Sequence, residues 1–303
     1  MAATLTFNSQ FDPQTGVAVP IAAGLVRITA PNASAYTFTG TNSFLLGHER
    51  LALLDPGPDD PAHLAALHSA MAGRRLEAII LTHTHRDHSA AAARLARSYD
   101  VPVWFGGRHR LSRPLRRFER NVLRRSCDWD LVPDRTLVDG ETIAAGDLAI
   151  SVHTTPGHCA NHLAFAIKRT DMVLVGDHVM GWNSTVVAAP DGSLDDYLAS
   201  LDKIIALPQT RYVSAHGGEI ADGPAFARAL KAHRLMRNGQ LLEVLRAGPT
   251  TLAAATRAIY PTLKGRLALG ARRTLLSHAE YLEARGEIEI RRGLLSTRLF
   301  LRD

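Results

Sequence analysis

Apolar positions in the first two-thirds of the chain fall in short runs set off by Gly, Pro and Asn: "GLVRITA", "SAYTFTG", "NSFLLGH" and "LALLDPGP", then "LEAIILTH", "VPVWFGG", "LAISVHTTPGH", "LAFAIKR", "MVLVGDH" and "TRYVSAHGG". Short apolar runs bounded by turn residues predict strands. Between them, apolar residues at helical spacing predict helices over 61–72, 89–98, 108–126 and 194–206. Pairs such as "LLGHERLALLD" read as antiparallel hairpins, so a purely parallel, doubly wound sheet is disfavoured. The expected class is α+β, with helices covering antiparallel-rich sheets.

Near residue 223 the pattern changes from strands to helices. "GPAFARALKAHRLMRNGQLLEVLRAG" is a long amphipathic helix stopped by "AGP", and "TTLAAATRAIYP" is a second, with Thr250 or Thr251 as N-cap. "ARRTLLSHAEYLEARGE" is a third, and "IEIRRGLLSTRLFL" reads as two strands around a Gly. Three helices and a hairpin is the order of a winged-helix unit. The chain is therefore expected to divide into a larger domain, 1–222, and a small winged-helix-like domain, 223–303.

With 303 residues, 46% of them hydrophobic, the chain can bury a sizeable core. No apolar run approaches the length that crosses a bilayer, and the opening residues lack a basic start and an apolar stretch, so no membrane association and a cytoplasmic location are expected. Cys127 and Cys159 are the only cysteines. They make no CxxC pair, so any metal must be held by His and carboxylates. Much of the positive charge lies in "GRHRLSRPLRRFERNVLRR", 107–125. Leu115, Phe118 and Val122 recur there at helical spacing, which predicts a packed face with the arginines turned outward, towards solvent or an anionic substrate.

The chemistry is concentrated in "LTHTHRDHSA", 81–90, directly after an apolar strand. His83 and His85 are two apart, so on an extended segment they point the same way and can share one ion. Asp87 and His88 follow at a helix start and face elsewhere, which suits a second ion. His158, Asp177 and His216 each come just beyond an apolar run, and strand ends converge on one rim of a sheet. Leaving such a cluster unpaired beside a buried strand would cost several kcal/mol in desolvation, which coordination relieves. His109, His153, His162, His233 and His278 are read as structural, and His178 as a support to the site at most.

"THTHRDHS" followed by "PGH", "GDH" and "AHGG" resembles the metallo-β-lactamase superfamily over roughly residues 20–220. The resemblance implies an αββα sandwich. It implies that His83, His85 and His158 hold one metal, that Asp87, His88 and His216 hold another, that Asp177 bridges them, and that Asp55 of "LLDPGP" supports the ligands. It further implies a hydrolase in which two divalent ions, expected to be zinc with iron or manganese also suited to the donors, share a hydroxide, and in which Asp87 or Asp177 takes up the proton. "GDHVMGWNSTVVAAPDGSLDDYLASLDKI" and the helical tail are similar to the beta-lactamase-like protein 2 branch, which includes a single-strand-specific endoribonuclease; "PGHCANH" departs from the Thr-Asp-Asp pattern expected after the His. A nuclease-like phosphodiesterase acting on RNA is thus the leading expectation, with a glyoxalase II-like thioesterase or small-ester hydrolase as the alternative. An exported antibiotic-degrading enzyme and a binding protein with a vestigial site are disfavoured. Glu280, Glu283 and Glu287 on the third tail helix argue against sequence-specific DNA binding. That helix is expected to cover the active site or to form a homodimer contact.

Overall fold

In a computed structural model describing residues 5–294 and 296–302, the strands form three sheets. The first comprises β1 (Ala18–Ala22), β2 (Leu25–Thr29), β3 (Asn42–Leu46), β4 (Arg50–Leu54), β5 (Arg75–Ile80), β6 (Val103–Phe105) and β7 (Arg135–Thr136), in that order. The second comprises β8 (Thr142–Ala145), β9 (Leu148–Thr154), β10 (Leu163–Ile167), β11 (Met172–Gly176), β12 (Arg211–Ser214) and β13 (Glu219–Ile220), again in sequence. Both are mixed: β1 to β4 and β8 to β11 pair antiparallel, whereas β4–β5–β6 and β11–β12 are parallel. A small third sheet joins β14 (Thr250–Thr251), β15 (Ile288–Arg292) and β16 (Thr297–Leu301).

Alternation along the strands builds the layers. Leu163, Phe165 and Ile167 of β10 meet Phe44, Leu54 and Ile80 between the two sheets, while Ala164 and Ala166 turn to the outer face. On the outside of the first sheet pack helices α1 (Pro61–Met71), α2 (Arg86–Ser89) and α3 (Ala92–Tyr99), burying Leu67, Met71 and Leu95 against Leu45, Leu53 and Ile79. On the outside of the second lie α4 (Leu194–Ile205) and the start of α5 (Gly223–Arg246), with Leu198, Leu201 and Leu230 against Val173, Val175 and Tyr212. The result is a four-layer αββα sandwich. Asp60, Ser193 and Asp222 cap α1, α4 and α5 with their side chains, and Thr251 caps α6 (Leu252–Ile259), one of the two caps expected there.

The tail has its own core. Leu241 and Leu245 of α5, Leu252 and Ala255 of α6, Leu275, Ala279 and Leu282 of α7 (Gly265–Ala284), and Ile288 and Leu299 of the small sheet are buried together. Helix α5 serves both cores, since Ala227 and Leu230 near its start join the sandwich. Among the described residues no helix is long and apolar enough to cross a membrane.

The helix expected over 108–126 does not form. Only a short turn, Arg124–Ser126, is helical, and Leu115, Phe118 and Val122 are 49%, 52% and 41% exposed instead of packed. Pro114 forces Arg113 out of helical geometry, and Phe118 adopts a left-handed backbone with φ 66. Contacts with the tail hold the segment in place. Arg113 pairs with Glu119 and with Glu280 of α7, each at 2.6 Å, and Arg116 lies 3.6 Å from Glu283. Arg292 of β15 also reaches Glu280, at 3.0 Å. With Glu280 accepting from two arginines at once, Glu280→Ala should release the segment: trypsin is expected to cut within 116–125 roughly fivefold faster or more, with the rest of the fold intact by melting.

Candidate metal centre

The seven side chains singled out from the sequence meet at one edge of the sandwich. "LTHTHRDH" leaves the end of β5, where His83 is fully buried and His85 nearly so, and α2 begins with Asp87 and His88 turned the other way. His158 follows β9 on a loop, Asp177 follows β11, and His216 follows β12. Two glycines make this convergence possible. A Cβ on Gly176, at φ 52, would stand 2.7 Å from His162 Nε2 and 2.9 Å from Thr82 Cβ. One on Gly157 would stand 2.4 Å from the Tyr197 Cα, so the loop carrying His158 presses against α4 only because that position is bare.

The side chains form two groups. In one, the Nδ1 of His85 lies 3.1 Å from the Nε2 of His83 and 2.9 Å from that of His158, and the His158 Nε2 is 3.6 Å from Asp177 Oδ2. In the other, the Nε2 atoms of His88 and His216 lie 3.5 and 3.3 Å from Asp177 Oδ1, and at the same two distances from Asp87 Oδ2. Ligands at about 2.0–2.1 Å around a tetrahedral ion are separated by about 3.3–3.4 Å, which is the spacing of the second group.

Each imidazole turns its other nitrogen to an acceptor. His85 Nε2 meets Asp191 Oδ2 at 2.8 Å, His88 Nδ1 meets Asp55 Oδ2 at 2.9 Å, and His158 Nδ1 meets the Val186 carbonyl at 2.7 Å. His216 Nδ1 meets the Gly40 carbonyl at 3.1 Å. His83 Nδ1 lies 3.0 Å from Thr82 Oγ1, whose own proton goes to Asp55. Carbonyls and carboxylates only accept, so in the neutral rings the protons sit on those outer nitrogens and the inward nitrogens present lone pairs. Lone pairs facing lone pairs and carboxylates repel unless a cation lies between them. The inward atoms His88 Nε2, His216 Nε2 and Asp177 Oδ1 are buried without a hydrogen bond, as ligand atoms would be. These His and Asp residues are positioned for a metal site, and the donor set fits one.

Protons occupy that role when no cation does. Burial opposes charge on His216, but Asp177 and Asp87 outweigh it and raise its pKa to about 9. His88 and His85 are raised in the same way, against burial, by Asp87 and Asp177 for the first and by Asp191 for the second. His83 and His158 are instead lowered, by burial and then by neighbouring imidazoles, the latter to about 4.

Three supporting residues were not legible as such. Asp191, in the turn "APDGS", is fully buried and accepts from His85 and, at 2.9 Å, from His109 Nε2. His109 in turn meets Thr84 Oγ1, which accepts from Asn161. His162, in "PGHCANH", accepts the backbone N–H of Asp177 at 3.2 Å, fixing the residue between the two groups. Asp55 holds Thr82 and His88 as expected, from a left-handed backbone at φ 49. His178 plays no such part. Its ring nitrogens have no hydrogen-bond partner among the described residues, and the ring packs tilted against Tyr197, centroids 4.6 Å apart. His153, read as structural, lies on β9 and meets Ser151.

Two outcomes follow from this geometry. Asp191→Asn should lower metal affinity about 10- to 100-fold in chelator competition without loss of fold, because His85 loses the acceptor that sets its tautomer. His216, raised to about 9, and His85 and His88, raised in the same direction, hold protons that an incoming ion must displace; calorimetric titration with Zn2+ at pH 7 should show proton release, of which the His216 share fades as pH rises past about 9.

A family profile described as "Metallo-beta-lactamase superfamily" matches residues 36–216. The chain is 26% identical over 230 residues to a "Beta-lactamase-like protein 2 homolog" from Caenorhabditis elegans, covering 73% of this chain and 71% of that one. It is 27% identical to an "Atrochrysone carboxyl ACP thioesterase" from Aspergillus chevalieri, covering 73% of this chain and 66% of the relative. A beta-lactamase domain protein from Burkholderia ambifaria superposes with a TM-score of 0.81 at 21% identity over 96% and 95% of the two chains. A metallo-beta-lactamase family protein from Thermus thermophilus gives 0.77 at 26% identity over 93% and 100%. With the fold, the converging His and Asp side chains and the matched span in agreement, the chain belongs to the metallo-β-lactamase superfamily of hydrolases.

Proposed function

We propose that this hydrolase acts on small acyl thioesters or esters with two metal ions, one held by His83, His85 and His158, the other by Asp87, His88 and His216, and Asp177 contributing an oxygen to each. The observation that carries the substrate class is the cleft over the site. It has a volume of about 530 Å3, the size of a small-molecule pocket, and its walls are largely apolar: Val122, Leu123, Met180, Val186, Ala188 and Leu269. The segment 107–126 supplies the first two of these and α7 the last, so the tail closes one side of the cleft. An acyl chain is accommodated by such walls. A nucleic-acid strand calls for an open basic groove with stacking aromatics.

The ions, when bound, supply a water made nucleophilic near neutral pH and polarise the oxygen of the scissile bond. Zinc is the proposed metal on the His and carboxylate donors, with iron and manganese also compatible. The chain's own residues hold and orient. Both carboxylates line the cleft, but Asp177 has both oxygens committed and a side chain 9% exposed, whereas only Oδ2 of Asp87 meets the imidazoles and its side chain is 29% exposed. Asp87 is therefore the carboxylate that holds the attacking water and takes up its proton. Arg86 and Arg273 stand at the cleft wall as the charged groups that orient a polar leaving portion. The free, buried Cys127 and Cys159 fit a reducing compartment, which supports a cytoplasmic setting. The order of α5, α6, α7, β15 and β16 supports reading 223–303 as a winged-helix-like unit.

One observation favours the nuclease reading. Although Arg113 and Arg116 are taken up by glutamates, Arg108, Arg117, Arg120, Arg124 and Arg125 remain exposed on the segment that borders the cleft. An RNA strand meeting them would be held chiefly by its phosphates, with affinity falling steeply as salt rises.

Metal analysis of the purified protein, followed by assay against acyl thioesters, p-nitrophenyl esters, bis-p-nitrophenyl phosphate and single-stranded RNA, tests the choice. Thioester turnover that falls at least about a hundredfold in His85→Ala is the expected result. Salt-sensitive RNA cleavage lost in the same variant, without thioester turnover, would replace this reading with the second.

A further inference from the structure

A second chamber, of about 380 Å3, opens beside the active cleft and shares Tyr36, Met180, Val186 and Gly270 with it. It lies between α5, α7 and the chain after β11, and no carboxylate lines it among the described residues. Its polar wall comes from α5, which contributes His233, Arg234 and Arg237; the two arginines, three apart and so on one helix face, carry its charge.

Arg234 is the unusual member. It is 2% exposed, yet it donates to the Thr185 carbonyl and lies over the Tyr197 ring, 5.4 Å from its centroid, and its Nε has no hydrogen-bond partner among the described residues. Arg237 stacks over Tyr260 at 4.8 Å and donates to Gln240 Oε1 at 2.7 Å, with its Nε also buried and unpartnered. Neither guanidinium pairs with a carboxylate among the described residues. By contrast, Arg113, Arg273 and Arg292, largely covered where the tail meets the 107–126 segment, are matched by Glu119, Glu280 or Glu283. The unbalanced charge is felt nearby. Burial first, and then Arg234 and Arg237, push the His233 pKa down to about 4, and the same groups lower that of His278.

A buried guanidinium without a counter-ion is costly, and a cavity at its side is where the counter-ion would sit. We propose that this chamber is a subsite for a phosphate ester carried by the substrate, seated against Arg234 and Arg237 while the scissile acyl bond lies over the metal centre. Two guanidiniums, with the hydroxyl of Ser184 and the amide of Asn183 also on the wall, suit a tetrahedral anion with several acceptor oxygens better than a lone carboxylate. Ile259, Leu263 and Leu267 line the remainder and suit an aliphatic arm joining phosphate to thiol. A phosphopantetheine-type arm and the phosphate of a nucleotide chain present the same anion, and the two sources are separable by experiment. The assignment rests on the cleft being hydrolytic, as proposed above.

The test compares the metal-loaded protein with Arg237→Gln on acetyl 4′-phosphopantetheine and on acetyl pantetheine, which lacks the phosphate. The native protein should favour the phosphorylated thioester by roughly 10- to 100-fold in KM, and the variant should bring that ratio close to one with kcat for the phosphorylated substrate little changed. A ratio near one in the native protein, or an equal loss on both substrates in the variant, overturns the subsite. Direct titration with 4′-phosphopantetheine and with a 5′-phosphorylated diribonucleotide separates the two readings. Binding that weakens in Arg237→Gln, without hydrolysis of either thioester, upholds the subsite and rejects the thioesterase; binding of the nucleotide alone assigns the phosphate to a nucleic acid. Because Arg234 is buried and its replacement risks the fold, Arg237, which is half-buried, carries the test.

Discussion

Asp177 offers its two carboxylate oxygens in opposite directions, Oδ1 towards His88 and His216 and Oδ2 towards His158. That division needs the residue held from behind, and the structure supplies the hold. Gly176 brings β11 close enough for His162 to accept the Asp177 N–H, and His162 is itself fixed by Thr155 Oγ1 at 2.8 Å. Around this carboxylate, five imidazoles direct one ring nitrogen inward because acceptors behind them hold the other. The two inward groups repel themselves and one another in the absence of positive charge. A fold that keeps such an arrangement at the end of its central strands is organised around cations, and the hydrolytic chemistry of the superfamily is the use to which it is put.

Much of this was legible because two periods dominate the chain. Apolar runs announced the strand ends, so helices over antiparallel-rich sheets and the meeting of His83, His85, Asp87, His88, His158, Asp177 and His216 could be anticipated, while the αββα layering came from the resemblance to the superfamily. Residues that act through the ligands were illegible for a physical reason. Asp191 sits in a turn, where Asp is ordinarily a backbone partner, and only the fold brings it beneath His85 and His109. His109 and His162 looked like structural histidines and are indeed satisfied by hydrogen bonds, but their partners belong to the site. The segment 108–126 misled through periodicity: its apolar residues recur at helical spacing, yet Pro114 and the pull of Glu280 and Glu283 open the chain, and Val122 faces the cleft rather than a core.

The tail completes the site rather than standing apart from it. Helix α7 places Leu269, Gly270 and Arg273 on the cleft wall and Glu280 beneath the arginines of 107–126, while α5 runs from the sandwich core into the tail core. Both the loops of the sandwich and the helices that follow it therefore line the cleft. Arg234 and Arg237 carry the same logic further, since a cationic chamber continuous with an apolar cleft suits a molecule with an acyl end and an anionic end.

The central claim is that seven side chains hold a pair of ions with Asp177 between them, and anomalous scattering from crystals of the metal-loaded protein tests it most directly. Two peaks about 3.5–4 Å apart are expected, one among His83, His85 and His158 and one among Asp87, His88 and His216, each within bonding distance of an Asp177 oxygen. A single peak, or none, in fully loaded crystals would contradict it.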